Sequence, residues 1–266
     1  MKEIGRIRDL DDEIFEEFQK YFLKIKTSDF VKKYPYTNIL LSLFDTSGTF
    51  IKNSIYDSCE TDDYFAVKIL YRCLIEHYVK FKFIFVKWGL TKSDDFAYDF
   101  QEYGHAREVL DSLRAKISEH QLFDPTYTFK DWDDFLKEHP KFKNKTRKEV
   151  EDETKKYTFK NIVSYLNGQF KAGDTDLSNT LGKFIIDYSN LSSFVHGGMK
   201  SCQEMMSMNS KEKRQTEYIR MCGLSFQLSN SIKLFSLIMY IQTDKDAFSP
   251  HYLKVDNILK KINNAP

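Results

Sequence analysis

Two short stretches of this chain combine residue types that can hold an anion and move a proton. The first is Arg72-Cys73-Leu74-Ile75-Glu76-His77, and the second runs Asp187-Tyr188-Ser189-Asn190-Leu191-Ser192-Ser193-Phe194-Val195-His196-Gly197-Gly198. Arg72 and Glu76 are four residues apart, so a helix places them on one face, with Leu74, Ile75 and Val79 supplying apolar surroundings. A guanidinium half immersed in core must find partners, and it suits the binding of phosphate or carboxylate. In the second stretch Tyr188, Ser192 and His196 follow one another at four-residue intervals, which aligns two hydroxyls and an imidazole along one helix face. His196 falls in the last helical turn, where the dipole favours its protonated form and where it could serve as acid or base.

Each stretch also has a purely structural explanation. Arg72 and Glu76 can be an intrahelical ion pair that locks neighbouring helices, and His196 can be a C-terminal cap. A Ser/His pair on one helix is not a hydrolase triad, since neither a nucleophile elbow nor an oxyanion-hole signal accompanies it.

The segments that must position these residues are helical. Only five prolines interrupt 266 residues, and apolar residues recur at three- and four-residue spacings through most of the chain. The periodicity predicts helices over 10–25, 36–57 (with Gly48 loosening its middle), 62–89, 93–120, 157–168, 176–195 and 210–242. Gly197-Gly198 forms the stop after 195, and Pro250 begins a short terminal helix. Residues 122–160 are less regular, with two prolines, Trp132 and a charged run from Lys141 to Lys156, and read as a solvated excursion with short helices. Met199 to Met208 reads as a mobile loop beside His196. No alternating strand pattern and no internal repeat competes. The expectation is an all-α multi-helix bundle, one domain over 1–266, with its core at roughly 10–121 and 157–242 and an excursion at 122–156.

Composition narrows the function classes. Lys plus Arg number 40 against 39 Asp plus Glu, a formal charge of +1, so no whole-molecule field draws the chain to nucleic acid or an anionic membrane. The most apolar run, Phe81 to Val86, is broken by Lys82 and is far shorter than the ~20 residues that span a bilayer. The first twelve residues alternate charges and lack the apolar core of a secretory signal, which points to the cytoplasm. Cys59, Cys73, Cys202 and Cys222 include no CxxC pair and read as reduced, mostly buried thiols. The six histidines form no metal-ligand spacing, and no P-loop, GxGxxG or kinase signature occurs, so neither a metal nor a cofactor is expected.

The combination of Tyr71-Arg72-x-x-x-Glu76 on an early buried helix with Tyr188-x-x-x-Ser192-x-x-x-His196-Gly197 on a late one resembles a group of uncharacterised bacterial helical proteins. That group in turn is similar to the HEPN superfamily of helical bundles, which includes metal-independent ribonucleases of bacterial defence and stress systems. The HEPN signature is an Arg, four to six intervening residues, then a His, and Arg72 and His77, with four between them, satisfy the spacing. They stand about 140° apart around one continuous helix, however, so His196 is the alternative functional histidine. The resemblance implies an RNA-cleaving effector in which Arg72 binds phosphate, His196 exchanges protons and Glu76 orients one of them, with Tyr188, Ser192 and His77 in support and a homodimer as one arrangement. Against it stand a non-enzymatic binding or scaffold module and a sensor of a small anionic ligand held by Arg72.

Overall fold

The computed structural model describes residues 2–127, 131–169 and 175–263, with no account of the side chains at 131, 132, 134, 175–181 and 263, so the Trp132 side chain lies outside what is described. Among the described residues there are twelve helices and no strand, the all-α bundle expected. In chain order they are α1 (Lys2–Thr27), α2 (Asp29–Lys33), α3 (Pro35–Glu60), α4 (Tyr64–Thr91), α5 (Asp95–Gln121) and α6 (Asp131–Glu138). There follow α7 (Arg147–Lys155), α8 (Phe159–Gln169), α9 (Thr175–Val195), α10 (Met199–Ser207), α11 (Lys211–Ile241) and α12 (Lys245–Asn263).

The two helices with the most buried positions, α4 and α11, form the centre. Along α11, Met221, Phe226, Ile232, Leu237 and Met239 are buried on more than one face, and α4 buries Val67, Tyr71, Leu74, Ile75, Val79 and Ile84 in the same way. Apolar surface on several sides of a helix needs neighbours on several sides. Helix α11 packs against α3, α4, α12 and α1, while α4 carries α3 on one flank and α9 with α8 on another. Among the described residues no helix is long and apolar enough to cross a membrane.

The helix ends follow local chemistry. Asp63 caps α4 by accepting from the Ala66 N–H at 2.9 Å. Thr146 and Glu149 form a reciprocal capping box at the start of α7. Gly197 takes a left-handed φ of +63°, and the Gly198 N–H donates to the Ser193 carbonyl at 2.8 Å, closing α9 in the Schellman manner. The glycine pair therefore ends the helix where the sequence placed its stop.

Several boundaries and segments differ from expectation, each for a visible reason. Helix α1 begins at Lys2 because Ile4 and Ile7 are buried and continue the apolar stripe. Gly48 does not loosen α3; a Cβ there would meet Ile232 Cδ1 at 3.2 Å, so its missing side chain admits α11 at close range. Residues 199–207 are a helix rather than a loop, tied down by Glu204, which reaches both Tyr64 and Lys68. Helix α12 starts at Lys245 and carries Pro250 within it. The excursion is more than a solvated face. Leu136, Phe142 and Val150 close over Tyr103, Ala106 and Leu110 of α5 in a small second core. Of the thiols, Cys59 and Cys222 are buried with their sulfurs 3.6 Å apart, Cys73 is partly buried and Cys202 is exposed.

Candidate functional site

The site grows from a stripe along α4. Lys68, Arg72, Glu76 and Lys80 recur every four residues, so they lie one above another on the flank that α9 and α11 cover. Helix α9 offers Tyr188 and Ser192, again four apart, to the middle of that stripe.

Arg72 holds the two helices together. Its Nη2 donates to the Tyr188 hydroxyl at 2.7 Å, its Nε donates to Ser192 Oγ at 3.3 Å, and its guanidinium carbon lies 4.2 Å from the centre of the Tyr188 ring. Phe159, the first residue of α8, stacks on the same ring with centroids 3.8 Å apart and planes 17° from parallel. One face of a phenol cannot accommodate both groups at these distances, so Tyr188 is clamped between a cation and an aromatic ring. Ser192 is fixed by donating to the Tyr188 carbonyl at 2.9 Å, which leaves its oxygen turned to the guanidinium.

Glu76 does not form an ion pair with Arg72. It binds Lys80 Nζ at 2.7 Å and accepts from the Tyr188 hydroxyl at 3.3 Å. Burial pushes the Glu76 carboxyl up, but the Lys80 hydrogen bond and charge, helped by Arg72, outweigh it and leave the carboxyl below its ordinary value. Burial and the neighbouring Glu76 charge push the Tyr188 phenol up, so its hydroxyl keeps its proton. Among the described residues, no carboxylate lies within ion-pair distance of Arg72. Its direct partners are two neutral hydroxyls and a ring, and all four members of the cluster remain partly exposed.

The two histidines part company. His77 faces α3, where its ring meets Phe44 edge-on at 5.8 Å, and burial together with Lys80 keeps it below the usual imidazole range, hence neutral at pH 7. It is thus turned away from Arg72, as the 140° offset requires. His196 is exposed and follows the last residue of α9; its backbone N–H donates to the Ser192 carbonyl at 3.1 Å. The structure therefore assembles Arg72, Glu76, Tyr188 and Ser192 directly and sets His196 one turn beyond Ser192 on the same helix. Ser189 points to solvent.

Reasoning from sequence missed Lys80 and Phe159. Lys80 was legible as the next step of the four-residue repeat, whereas nothing in the sequence ties Phe159 to Tyr188. It also missed a charged cluster one turn along α4. There the almost buried Lys68 binds Glu217 at 2.5 Å and Glu204 at 2.9 Å, and Arg220 grips Glu217 through two bonds of 2.8 Å. These groups, with Asp187 and Asn190, line a polar cavity of about 220 Å³. Among the described residues no group of three His, Cys, Asp or Glu side chains is arranged to hold a metal ion.

A family profile matches residues 38–214, a span that holds both halves of this site, the α4 stripe and the Tyr188/Ser192 turn of α9. The chain belongs to DUF5677, a family of unknown function. No curated protein and no solved structure matches it. The DUF5677 match begins within α3 and ends in the first turn of α11, so the Arg72 cluster lies within the matched span.

Proposed function

We propose that this DUF5677 protein binds a phosphodiester at Arg72 and cleaves RNA without a metal, as a HEPN-like effector of a bacterial defence or stress system. One observation carries the reading: a guanidinium between two hydroxyls, with no carboxylate partner among the described residues, stands partly open to solvent, and one of those hydroxyls, that of Ser192, lies one helical turn before the exposed His196. In the proposed reaction His196 takes the proton of a ribose 2′-hydroxyl and the resulting alkoxide attacks the adjacent phosphorus. The P–O5′ bond breaks as the 5′-oxygen takes a proton from water, giving a 2′,3′-cyclic phosphate and a 5′-hydroxyl, and His196 returns its proton to the solvent. Arg72 neutralises the charge that gathers on the phosphoryl oxygens. Tyr188 and Ser192 aim the guanidinium, and Glu76, with its charge answered by Lys80, orients Tyr188 without competing for Arg72.

The experiment is incubation of the pure protein with mixed RNA in chelator, beside Arg72→Ala and His196→Ala. Cleavage to cyclic-phosphate ends that falls by a factor on the order of 10² or more in each variant, with unchanged circular dichroism, is the expected result. Intact RNA with the wild-type chain, or full activity in His196→Ala, overturns it.

A second reading is favoured by the same pairing of Glu76 with Lys80, which leaves one net positive charge at Tyr188 and Ser192, and by the near-neutral chain, since general RNA binders are basic. The site would then sense a small anion without turning it over. Calorimetric binding of inorganic phosphate that vanishes in Arg72→Ala, with RNA left intact, selects this reading. Neither binding nor cleavage leaves the cluster as a scaffold that joins α4 to α9.

A further inference from the structure

Where α4, α5, α7 and α8 meet, the surface opens into a cavity of about 400 Å³, larger than the cavity of about 220 Å³ beside Lys68. Small-molecule sites occupy about 300–1,000 Å³, so this one has room for a ligand of two or three joined parts. It forms at the seam of the molecule, since Tyr157 packs against both the main core and the small second one.

Its walls are aromatic. Phe83, 5% exposed, lies deepest. Tyr165 stands across it with centroids 5.3 Å apart and planes at 76°, and Tyr157 with 6.2 Å and 83°, so both tyrosine rings rise steeply from the plane of the phenylalanine. Phe96 supplies a further ring from α5. The two tyrosines and Phe96 are all partly exposed and border the open space. Rings in this setting hold a flat heterocycle by stacking.

The charges around the rings do not cancel. Asp99 is answered by Lys141, and Glu153 by Lys156 at 2.6 Å. Lys87 is left over. Among the described residues no carboxylate lies within ion-pair distance of it, and its ammonium rests over aromatic rings, 4.2 Å from the centre of Tyr165 and 5.7 Å from that of Phe83. One unanswered positive charge therefore stands beside the stacking walls. Hydrogen-bond acceptors are also at hand, because each carboxylate has more lone pairs than its lysine uses, and Asn161, whose Nδ2 donates to the Lys155 carbonyl at 2.7 Å, keeps Oδ1 as an acceptor. A flat ring, one negative charge, and N–H or O–H donors between them are the complement of this cavity.

We propose that the cavity binds a free mononucleotide, with its base against the Tyr157 and Tyr165 rings and its phosphate at Lys87. A single nucleotide fits better than a strand, because one unpaired ammonium answers one phosphate and a chain of formal charge +1 offers no basic track for further phosphates. The inference is independent of any chemistry at Arg72. Phe159 of α8 stacks on Tyr188, whereas Asn161 and Tyr165 stand about 200° and 240° round that helix from Phe159 and face the other way.

The test is calorimetric titration of the full chain with adenosine 5′-monophosphate, adenosine and ribose 5-phosphate in turn. Arg72→Ala is the reference protein, so that phosphate held at Arg72 is not counted, and Lys87→Gln and Tyr165→Leu are added to it singly, each with unchanged circular dichroism. The nucleotide should bind the reference protein, and each half-ligand should bind about tenfold or more weakly, since stacking and a charge-assisted phosphate contact are each worth about that factor. Each added substitution should weaken nucleotide binding by a similar factor. No nucleotide binding, ribose 5-phosphate bound as tightly as the nucleotide, or full affinity with Lys87→Gln in place overturns the proposal.

Photolabelling of the wild-type chain locates the site without any substitution. The probe 8-azidoadenosine 5′-monophosphate should label residues 155–169, which carry both tyrosines, and excess adenosine 5′-monophosphate should prevent it. Absence of label there, or a pentaadenylate that competes as well as the mononucleotide, overturns the assignment.

Discussion

The joint between Arg72 and Tyr188 can be removed in halves, and the coupling between the halves measures how strongly α9 is held to α4. Tyr188→Phe keeps the ring, and with it the Phe159 stack at 3.8 Å and the face presented to Arg72. It removes only the oxygen that accepts from Nη2 at 2.7 Å and donates to Glu76 at 3.3 Å. A hydrogen bond to a charged group contributes about 1.5–3 kcal/mol when buried, and partial exposure on both sides lowers this to roughly 1–1.5 kcal/mol. Arg72→Met retains the stem but also loses the Ser192 bond and the cation over the ring, which adds about 1 kcal/mol, for a total of about 2–2.5 kcal/mol. In the double variant the Arg72–Tyr188 bond is lost once rather than twice, so the losses should fall short of additivity by about 1 kcal/mol. The assay is urea denaturation followed by far-ultraviolet circular dichroism, with all four proteins at one concentration and their slopes compared. For a chain of this size the single Tyr188→Phe change lowers Tm by only about 2–4 °C, so the denaturant midpoint is the more sensitive reading. Coupling below about 0.3 kcal/mol would refute the claim that this bond organises the site.

Other expectations are checked with the same equipment. Glu217 is pushed up by burial but held by Arg220 and Lys68 at about 2, below its ordinary 4.5. A carboxylate depressed in the folded state stabilises the protein fully above its unfolded value and loses that contribution as pH falls from about 4.5 towards 2. This group alone supplies on the order of 2 kcal/mol across that window. Glu217→Gln should therefore be less stable at pH 7 and lose less between pH 5 and pH 3 than the wild type; parallel pH profiles would contradict the assignment. At Gly48 the neighbour at 3.2 Å is the terminal methyl of Ile232, which can yield, and alanine gains about 1 kcal/mol in helix propensity, so Gly48→Ala should be close to neutral. Gly48→Leu must displace α11 and should cost about 2 kcal/mol or more in thermal melts.

How the site is built was only half legible. Four-residue spacing placed Arg72 with Glu76 and Tyr188 with Ser192 and His196, because one helix fixes its own faces. It did not say which charge answers which. Glu76 sits equally well for a bond backwards to Arg72 or forwards to Lys80, and the choice fell to Lys80 once α9 supplied Arg72 with two hydroxyls. His77 had the spacing of a signature residue, yet the turn of the helix aimed it at Phe44.

The sequence alone determined the helical class, the course of the long helices and the stop at Gly197, because periodicity, caps and a left-handed glycine act within a few residues of one another. Tertiary structure decided what lies against each face. Residues 199–207 became a helix because Glu204 finds Lys68 and Tyr64 across the bundle, and Ile39, Leu43 and Phe50 of α3 became surface because α11 took the opposite side of that helix at Gly48. A helix carries its faces in its own sequence, but the identity of each neighbour depends on residues a hundred or more positions away, and that information exists only once the chain has packed.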